Sequence, residues 1–367
     1  MYLQRLTISG VRNLDAVDVQ LGRGVNVFFG ENGSGKTSLL EAVHILSCGR
    51  SFRTRNLASV ISFSSDRCTC FGLLHQASGG VASVGVSREK GGDFLFKLSG
   101  EVVRSAAQLS DTLPVILLNN DSFQLLEGAP AFRRAFVDWG VFHVEHSFRG
   151  AWSRFQRCLK HRNSLLRHDR IDRLQMDVWD REFSAAGEMV GHCRERYLER
   201  LRPVVETVCR QMGLNLDISL SYNRGWPEGG ELNALLREHL PRDQKMGFTH
   251  YGPHRADIKV RVDQKPAAEV LSRGQKKIVV TALKIAQGYA FQADNPGRHC
   301  LYLIDDLPAE LDRSHRKAVA SLLQDLGAQV LVTGVDRDEL LAGWPHEPFG
   351  EQDMRVFHVE HGSVVTA

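Results

Sequence analysis

Gly30-Glu31-Asn32-Gly33-Ser34-Gly35-Lys36-Thr37 is the stretch on which the reading of this chain turns. It fits the pattern G-x-x-x-x-G-K-[ST] at every fixed position. Gly30, Gly33 and Gly35 let the backbone fold around phosphate oxygens, with its N–H groups turned inward. Just before the loop, Val25, Val27, Phe28 and Phe29 form an apolar run of the kind found in a buried strand. Just after it, Leu39, Leu40, Val43 and Leu46 recur at helical spacing. The helix would present its positive N-terminal end to the same anion. Glu31, Asn32 and Ser34 complete a nucleotide-binding loop. In it Lys36 is expected to reach the β- and γ-phosphates of ATP, and Thr37 to ligate Mg²⁺.

Such a site needs an apolar strand ending in an acidic residue, and Leu301-Tyr302-Leu303-Ile304-Asp305-Asp306 supplies one. Asp305 is expected to hold Mg²⁺, directly or through water. Asp306 is expected to face the attacking water as polariser or general base, which makes it, with Lys36, a candidate catalytic residue. A third segment, Leu271-Ser272-Arg273-Gly274-Gln275, lies 33 residues before Asp305. A serine hydroxyl, a backbone N–H and a helix N-terminus at Ser272, Arg273, Gly274 and Gln275 suit an anion brought in from outside. This segment looks like the signature of ABC-type ATPases, which contacts the γ-phosphate held by the opposite subunit. Arginine stands where that signature has the first of its two glycines.

The remaining sequence divides by texture. Short strand-like runs fill residues 1–30 and 57–120, with Gly-Gly breaks at 79–80 and 91–92. From about 130 to 215 glycine thins, arginine becomes frequent, and apolar residues recur three or four apart, as in Trp152, Phe155 and Leu159. That pattern reads as a helical insertion. Residues 216–250 are transitional. Strand-like runs return at 257–262 and 301–304, and a helix is expected over Gln275–Phe291. The expected fold class is α/β, an ABC-type P-loop ATPase head of mixed β-sheets with flanking helices, carrying a short helical arm. The expected division is 1–130 and 246–367 for the two parts of the head, with 131–245 as the arm.

With these elements in place, the chain resembles the RecF family over nearly its full length. The stretches that carry the resemblance are GENGSGKTS at 30–38, GAPAFRRAFVDWG at 128–140, GPHRADI at 252–258, LSRGQKK at 271–277 and LYLIDDLPAELD at 301–312. Paired aspartates at the strand end and arginine in the signature are traits of that family. Lys36 and Ser272 are 236 residues apart, more than a compact transporter ATPase needs, and the excess matches a helical arm. The resemblance implies an ATP-gated homodimer that closes on DNA at single-strand gaps. It also implies RecR and RecO as partners, RecA loading as the outcome, and a place in DNA replication, repair and the SOS response. Two departures stand out. Pro308-Ala309 precedes Glu310 where a small-residue-plus-serine pattern is usual, and Thr333 falls where transporter ATPases place a phosphate-sensing histidine. Both point to slow, switch-like hydrolysis, and the resemblance implies a weak ATPase that depends on DNA.

Charge placement bears on DNA. Residues 133–168 hold Arg133, Arg134, Arg149, Arg154, Arg157, Lys160, Arg162 and Arg167 against only Asp138 and Glu145, a net of +6 in a chain whose total is +3. Arg154, Arg157, Lys160 and Arg162 are the candidate DNA contacts, and the other reading is a solvated helical face with core aromatics. His254 and Arg255 read equally as contacts to nucleotide or DNA and as structural residues. A transporter ATPase subunit would instead show a compact helical subdomain, a sensor histidine and no basic arm. A small-molecule kinase would lack the signature and so late an acidic strand end. Hydrophobic residues at 43% and charged residues at 24% are ordinary for a soluble protein. The seven cysteines include one close pair, Cys68 and Cys70, expected to pack rather than bind metal. VFHVEH occurs at both 141–146 and 356–361 and reads as coincidence. Without a signal pattern or a run of ~18 apolar residues, the chain is expected in the cytoplasm, off the membrane.

Overall fold

A computed structural model describes residues 1–76, 79–168, 172–306, 311–344 and 353–367. They form two compact units, one of residues 1–122, 211–213 and 277–367, the other of 123–210 and 214–276.

The first unit contains two six-stranded sheets. One is antiparallel, in the order β2-β1-β4-β5-β6-β7, from β1 (Tyr2–Val11), β2 (Leu14–Gln20), β4 (Arg67–His75), β5 (Val81–Glu89), β6 (Phe94–Leu98) and β7 (Glu101–Val103). β4 alternates buried and half-buried residues along its length, so one face meets the core; Cys68 and Cys70 sit on that face. The other sheet is mixed, in the order β15-β14-β3-β13-β12-β8. It comprises β3 (Val25–Phe29), β8 (Val115–Leu118), β12 (Leu301–Ile304), β13 (Gln329–Gly334), β14 (Met354–Glu360) and β15 (Ser363–Thr366). All its pairings are parallel except β14 with β15. β12 and β13 are buried at every position, as parallel strands covered on both faces must be. The helix Lys36–Cys48 has ten of its thirteen residues buried and shares one apolar core with strands of both sheets. Buried Gln329 ties the sheets together. Its amide accepts from Leu3 N at 2.7 Å and donates to Leu3 O and Gly22 O, each at 2.8 Å.

The second unit holds the helices Pro130–Val144, His146–Leu165 and Arg173–Gln211, and a three-stranded antiparallel sheet. Only the final residue of the third helix, Gln211, groups with the first unit. The sheet order is β11 (Lys265–Pro266), β10 (Asp257–Val262), β9 (Ile218–Asn223). The division expected at 130 and 245 thus meets one at 122 and 276. Residues 246–276 group with the second unit because β10 pairs along its whole length with β9. The helix expected over Gln275–Phe291 runs Arg273–Asp294. Within 57–120, Ala106–Thr112 is helical, started by a Ser105 hydroxyl that accepts from Ala107 N. VFHVEH takes two conformations: at 141–146 it ends one helix and begins the next, and at 356–361 it lies mostly in β14. The repeat therefore marks no shared site.

Arginine inside the second unit corrects the reading of its charge. Arg162 is fully buried. Its guanidinium donates to Asp180 at 2.6 Å, Asp243 at 2.6 Å and the Thr249 hydroxyl at 2.9 Å, joining helices and a loop. It is not a surface group and leaves the set of DNA contacts. Buried Arg194 likewise pairs with Asp138 and donates to Pro253 O. Phe148 and Phe155 are core residues too. Removing one partner of a buried ion pair leaves the other charge uncompensated, which costs roughly 3–5 kcal/mol. Arg162→Ala should lower unfolding stability by that amount in urea titrations, while Arg157→Ala, at an exposed position on the same helix, should change it by under about 0.5 kcal/mol.

Candidate functional site

The loop between β3 and the helix Lys36–Cys48 is shaped by its neighbours. A Cβ on Gly30 would lie 2.1 Å from Val359 O of β14, so only glycine fits there. Gly35 sits at φ 123°, beside Leu14 and Asn13. As N-cap it gives the helix no side-chain cap, leaving the first-turn N–H groups to an outside acceptor. The Lys36 ammonium folds back on its own loop, donating to Gly30 O at 2.7 Å and Glu31 O at 2.8 Å. Burial pushes it below its ordinary pKa, against the raising effect of Asp306 and Asp305.

β3, β12 and β13 bring the acidic strand end to this loop. The Thr37 hydroxyl lies 3.0 Å from both carboxylate oxygens of Asp305. The Thr333 hydroxyl at the end of β13 donates to Asp305 at 2.8 Å and accepts from Asp306 N at 2.9 Å. The residue that replaces a sensor histidine thus binds both aspartates. Asp306 adopts φ 54°, a left-handed conformation that costs a non-glycine residue of order 1 kcal/mol or more. Burial, and then the neighbouring Asp305 charge, raises its carboxyl pKa toward the range useful to a proton acceptor.

These groups line one cavity of about 570 Å³, together with residues that the sequence did not single out: Arg12, Asn13, Arg53 and Asn120. Arg12 and Asn13 occupy the β1–β2 turn. Arg12 pairs bidentately with fully buried Glu41 at 2.8 and 2.9 Å and holds φ 56°, while the Asn13 amide donates to Gly33 O. Burial alone would raise the Glu41 carboxyl, but hydrogen bonds from Arg12 and Ser51 hold it below its ordinary value. The only local signal was two polar residues at a tight turn, and their proximity to the loop depends on sheet pairing.

The remaining candidates lie in the second unit. Ser272, Arg273, Gly274 and Gln275 are exposed. The Gln275 side chain accepts from Ser272 N at 2.9 Å and the Ser272 hydroxyl from Gln275 N at 3.3 Å, a reciprocal cap on the helix Arg273–Asp294. Arg154, Arg157 and Lys160 are exposed along the helix His146–Leu165. His254 stacks beside Phe155, with its Nε2 at 3.0 Å from Thr249 O, and Arg255 covers the ring of Phe248. Pro308, Ala309 and Glu310 lie outside the described residues. Among the described residues no cluster of metal-binding side chains was found, and no helix is long and apolar enough to cross a membrane.

Comparison with known proteins agrees with this architecture. Residues 2–362 match the family model of the RecF/RecN/SMC N-terminal domain. A DNA replication and repair protein RecF of Pseudomonas paraeruginosa is 47% identical over 99% of this chain and 97% of its own. That of Stutzerimonas stutzeri is 48% identical over 99% and 97%. A solved structure of the recombination mediator protein RecF with ATP, of the RecFOR pathway, superposes with TM-score 0.87 at 22% identity, covering 100% of this chain and 97% of that one. An Smc head bound to the winged-helix domain of ScpA gives 0.58 at 16%, covering 100% and 98%.

Thr333→Val removes a hydrogen bond to a carboxylate and strands the Asp306 N–H, a loss of about 1.5–3 kcal/mol at the acidic pair. Single-turnover ATP cleavage should fall about 10- to 100-fold, while Thr333→Ser should stay near wild type. Loss in Thr333→Ser with Thr333→Val near wild type would mean that the methyl packing, not the hydroxyl, matters.

Proposed function

The chain belongs to the RecF family, and on that premise we propose that it is an ATP-driven DNA-binding switch of replication and recombinational repair. The observation that carries the proposal is the contact of Thr37 with Asp305, 3.0 Å across 268 positions of sequence, at the mouth of a complete phosphate loop. Lys36 takes the nucleotide phosphates, and the uncapped helix N-terminus behind it adds its partial charge.

The donor set also fits Mg²⁺. A hydroxyl and a carboxylate already in contact are hard oxygen ligands, and Ser34 Oγ in the same loop is buried without a partner among the described residues. Thr37 and Asp305 would hold the ion, which when bound supplies charge neutralisation to the phosphates. Asp306, set by Thr333, accepts the proton of the attacking water. Aspartate reaches less far than glutamate, so hydrolysis is slow and serves to reset the switch, below the ~10 s⁻¹ typical of enzymes.

ATP binding drives dimerisation, with Ser272, Arg273, Gly274 and Gln275 meeting the nucleotide of the opposite subunit. Their exposure supports this reading. Arg154, Arg157 and Lys160, exposed and without ion pairs among the described residues, offer phosphate contacts on DNA. Action at single-strand gaps with RecO and RecR, ahead of RecA loading in the cytoplasm, belongs to the same reading; the relatives' replication and repair names and the RecFOR pathway of the solved neighbour support its broader part, a role in recombinational repair.

Sedimentation velocity with ATP and gapped DNA tests the proposal. Wild type should dimerise when both are present. Asp306→Asn should persist as the dimer, and Ser272→Arg should bind ATP yet stay monomeric. A wild type that remains monomeric with ATP and DNA would overturn the switch.

A further inference from the structure

The second unit carries a cavity that the ATP site does not use. Strand alternation builds its floor. In the β9–β10 pair, Lys259 opposes Ser221 and Arg261 opposes Ser219, while Ile218, Leu220, Ile258 and Val262 are buried on the other face. The outer face therefore collects hydrogen-bond donors. Arg224 and Arg255 join Lys259 and Arg261 in the wall of a concavity of about 600 Å³. None of these four cations forms an ion pair among the described residues, whereas Arg133, Arg162, Arg194 and Lys276 in the same unit all do. Among the described residues, Glu195 and Glu228 are the wall's only carboxylates, so this lining keeps a net charge of +2.

The wall also carries the rings of Tyr222, Trp226 and Tyr251. Trp226 is only 5% exposed, yet its indole N–H has no hydrogen-bond partner among the described residues, an unusual cost for a buried donor. The Arg224 guanidinium lies over its ring at 5.3 Å, and half-buried Tyr251 stands alongside. Cations without ion pairs, set beside aromatic rings, match a ligand that has phosphate and a flat face together. The volume falls within the roughly 300–1,000 Å³ of small-ligand sites, the scale of one nucleotide rather than a duplex surface.

We propose that this cavity receives a nucleotide of single-stranded DNA, with its phosphate on Lys259, Arg261, Arg224 and Arg255 and its base among Tyr251 and Trp226. The proposal rests on the DNA-binding part of the function above and adds a single-strand site to it. Cations bind the backbone without regard to sequence, and rings accept any base, so the site has little sequence preference.

The test is fluorescence anisotropy of a labelled fifteen-residue oligothymidylate with the full chain, for wild type and Lys259→Glu/Arg261→Glu. Single-strand affinity changes with salt by a log–log slope of ~0.7 per phosphate contact. The double variant should therefore lose about 1.4 of slope and at least tenfold in affinity, with ATP affinity unchanged. As a second readout, bromodeoxyuridine photocrosslinking of the wild type should map to Tyr251 or to residues 222–226. Wild-type affinity and slope in the double variant, or adducts confined to the helix His146–Leu165, would overturn the site while leaving the switch intact. Displacement of the oligonucleotide by a dodecaglutamate peptide at lower concentration would reassign the cavity to an acidic protein segment and overturn the proposal. A wild type that binds no DNA would remove the proposed function and this site with it.

Discussion

Thr37 and Asp305 touch across 268 positions of sequence, and the arrangement of the first unit depends on that contact. For it to form, β3 must enter the sheet beside β13, and β13 beside β12, all parallel. Parallel neighbours need long crossover connections, so the chain between them has to leave the sheet and return. Crossovers of that length accommodate the helical second unit without interrupting the sheet. The same order places Thr333, at the end of the middle strand, between the loop and the two aspartates.

Local order was legible wherever one residue type had one physical use. The phosphate loop, the buried strand before it, the helix after it and the acidic strand end could all be read because glycine geometry and apolar periodicity are local properties. Thr333 could be placed by position but not by role, since its hydroxyl acts through strands joined far from it in sequence. Arg12 and Glu41 were invisible for the same reason: neither residue type at a turn or on a helix announces a buried pair. Arginine in residues 130–215 misled most. Charge density suggested a surface, but Arg162 and Arg194 bury their guanidinium groups in ion pairs that pin helices together. A residue whose burial depends on carboxylates 18 and 81 positions away cannot be sorted from sequence spacing.

Strain and burial gather at the acidic pair. Asp306 holds a left-handed backbone while its N–H donates to Thr333, and burial first, then the neighbouring Asp305 charge, raises its pKa. Placing two aspartates where their charges repel suits a site that must wait for a cation before it is stable. Charge in the second unit follows a matching division. Its buried arginines, Arg162 and Arg194, are neutralised and hold the unit together, leaving unpaired cations on the surface, where polyanions can reach them.

Equilibrium ATP binding by Lys36→Met tests the central claim, that this loop is the nucleotide site, most directly. Methionine keeps the apolar stem of the side chain but cannot neutralise phosphate charge. The account predicts loss of tight ATP binding by a variant that still unfolds cooperatively without nucleotide, its melting temperature lowered only by the lost hydrogen bonds to Gly30 O and Glu31 O. Near wild-type affinity would contradict it.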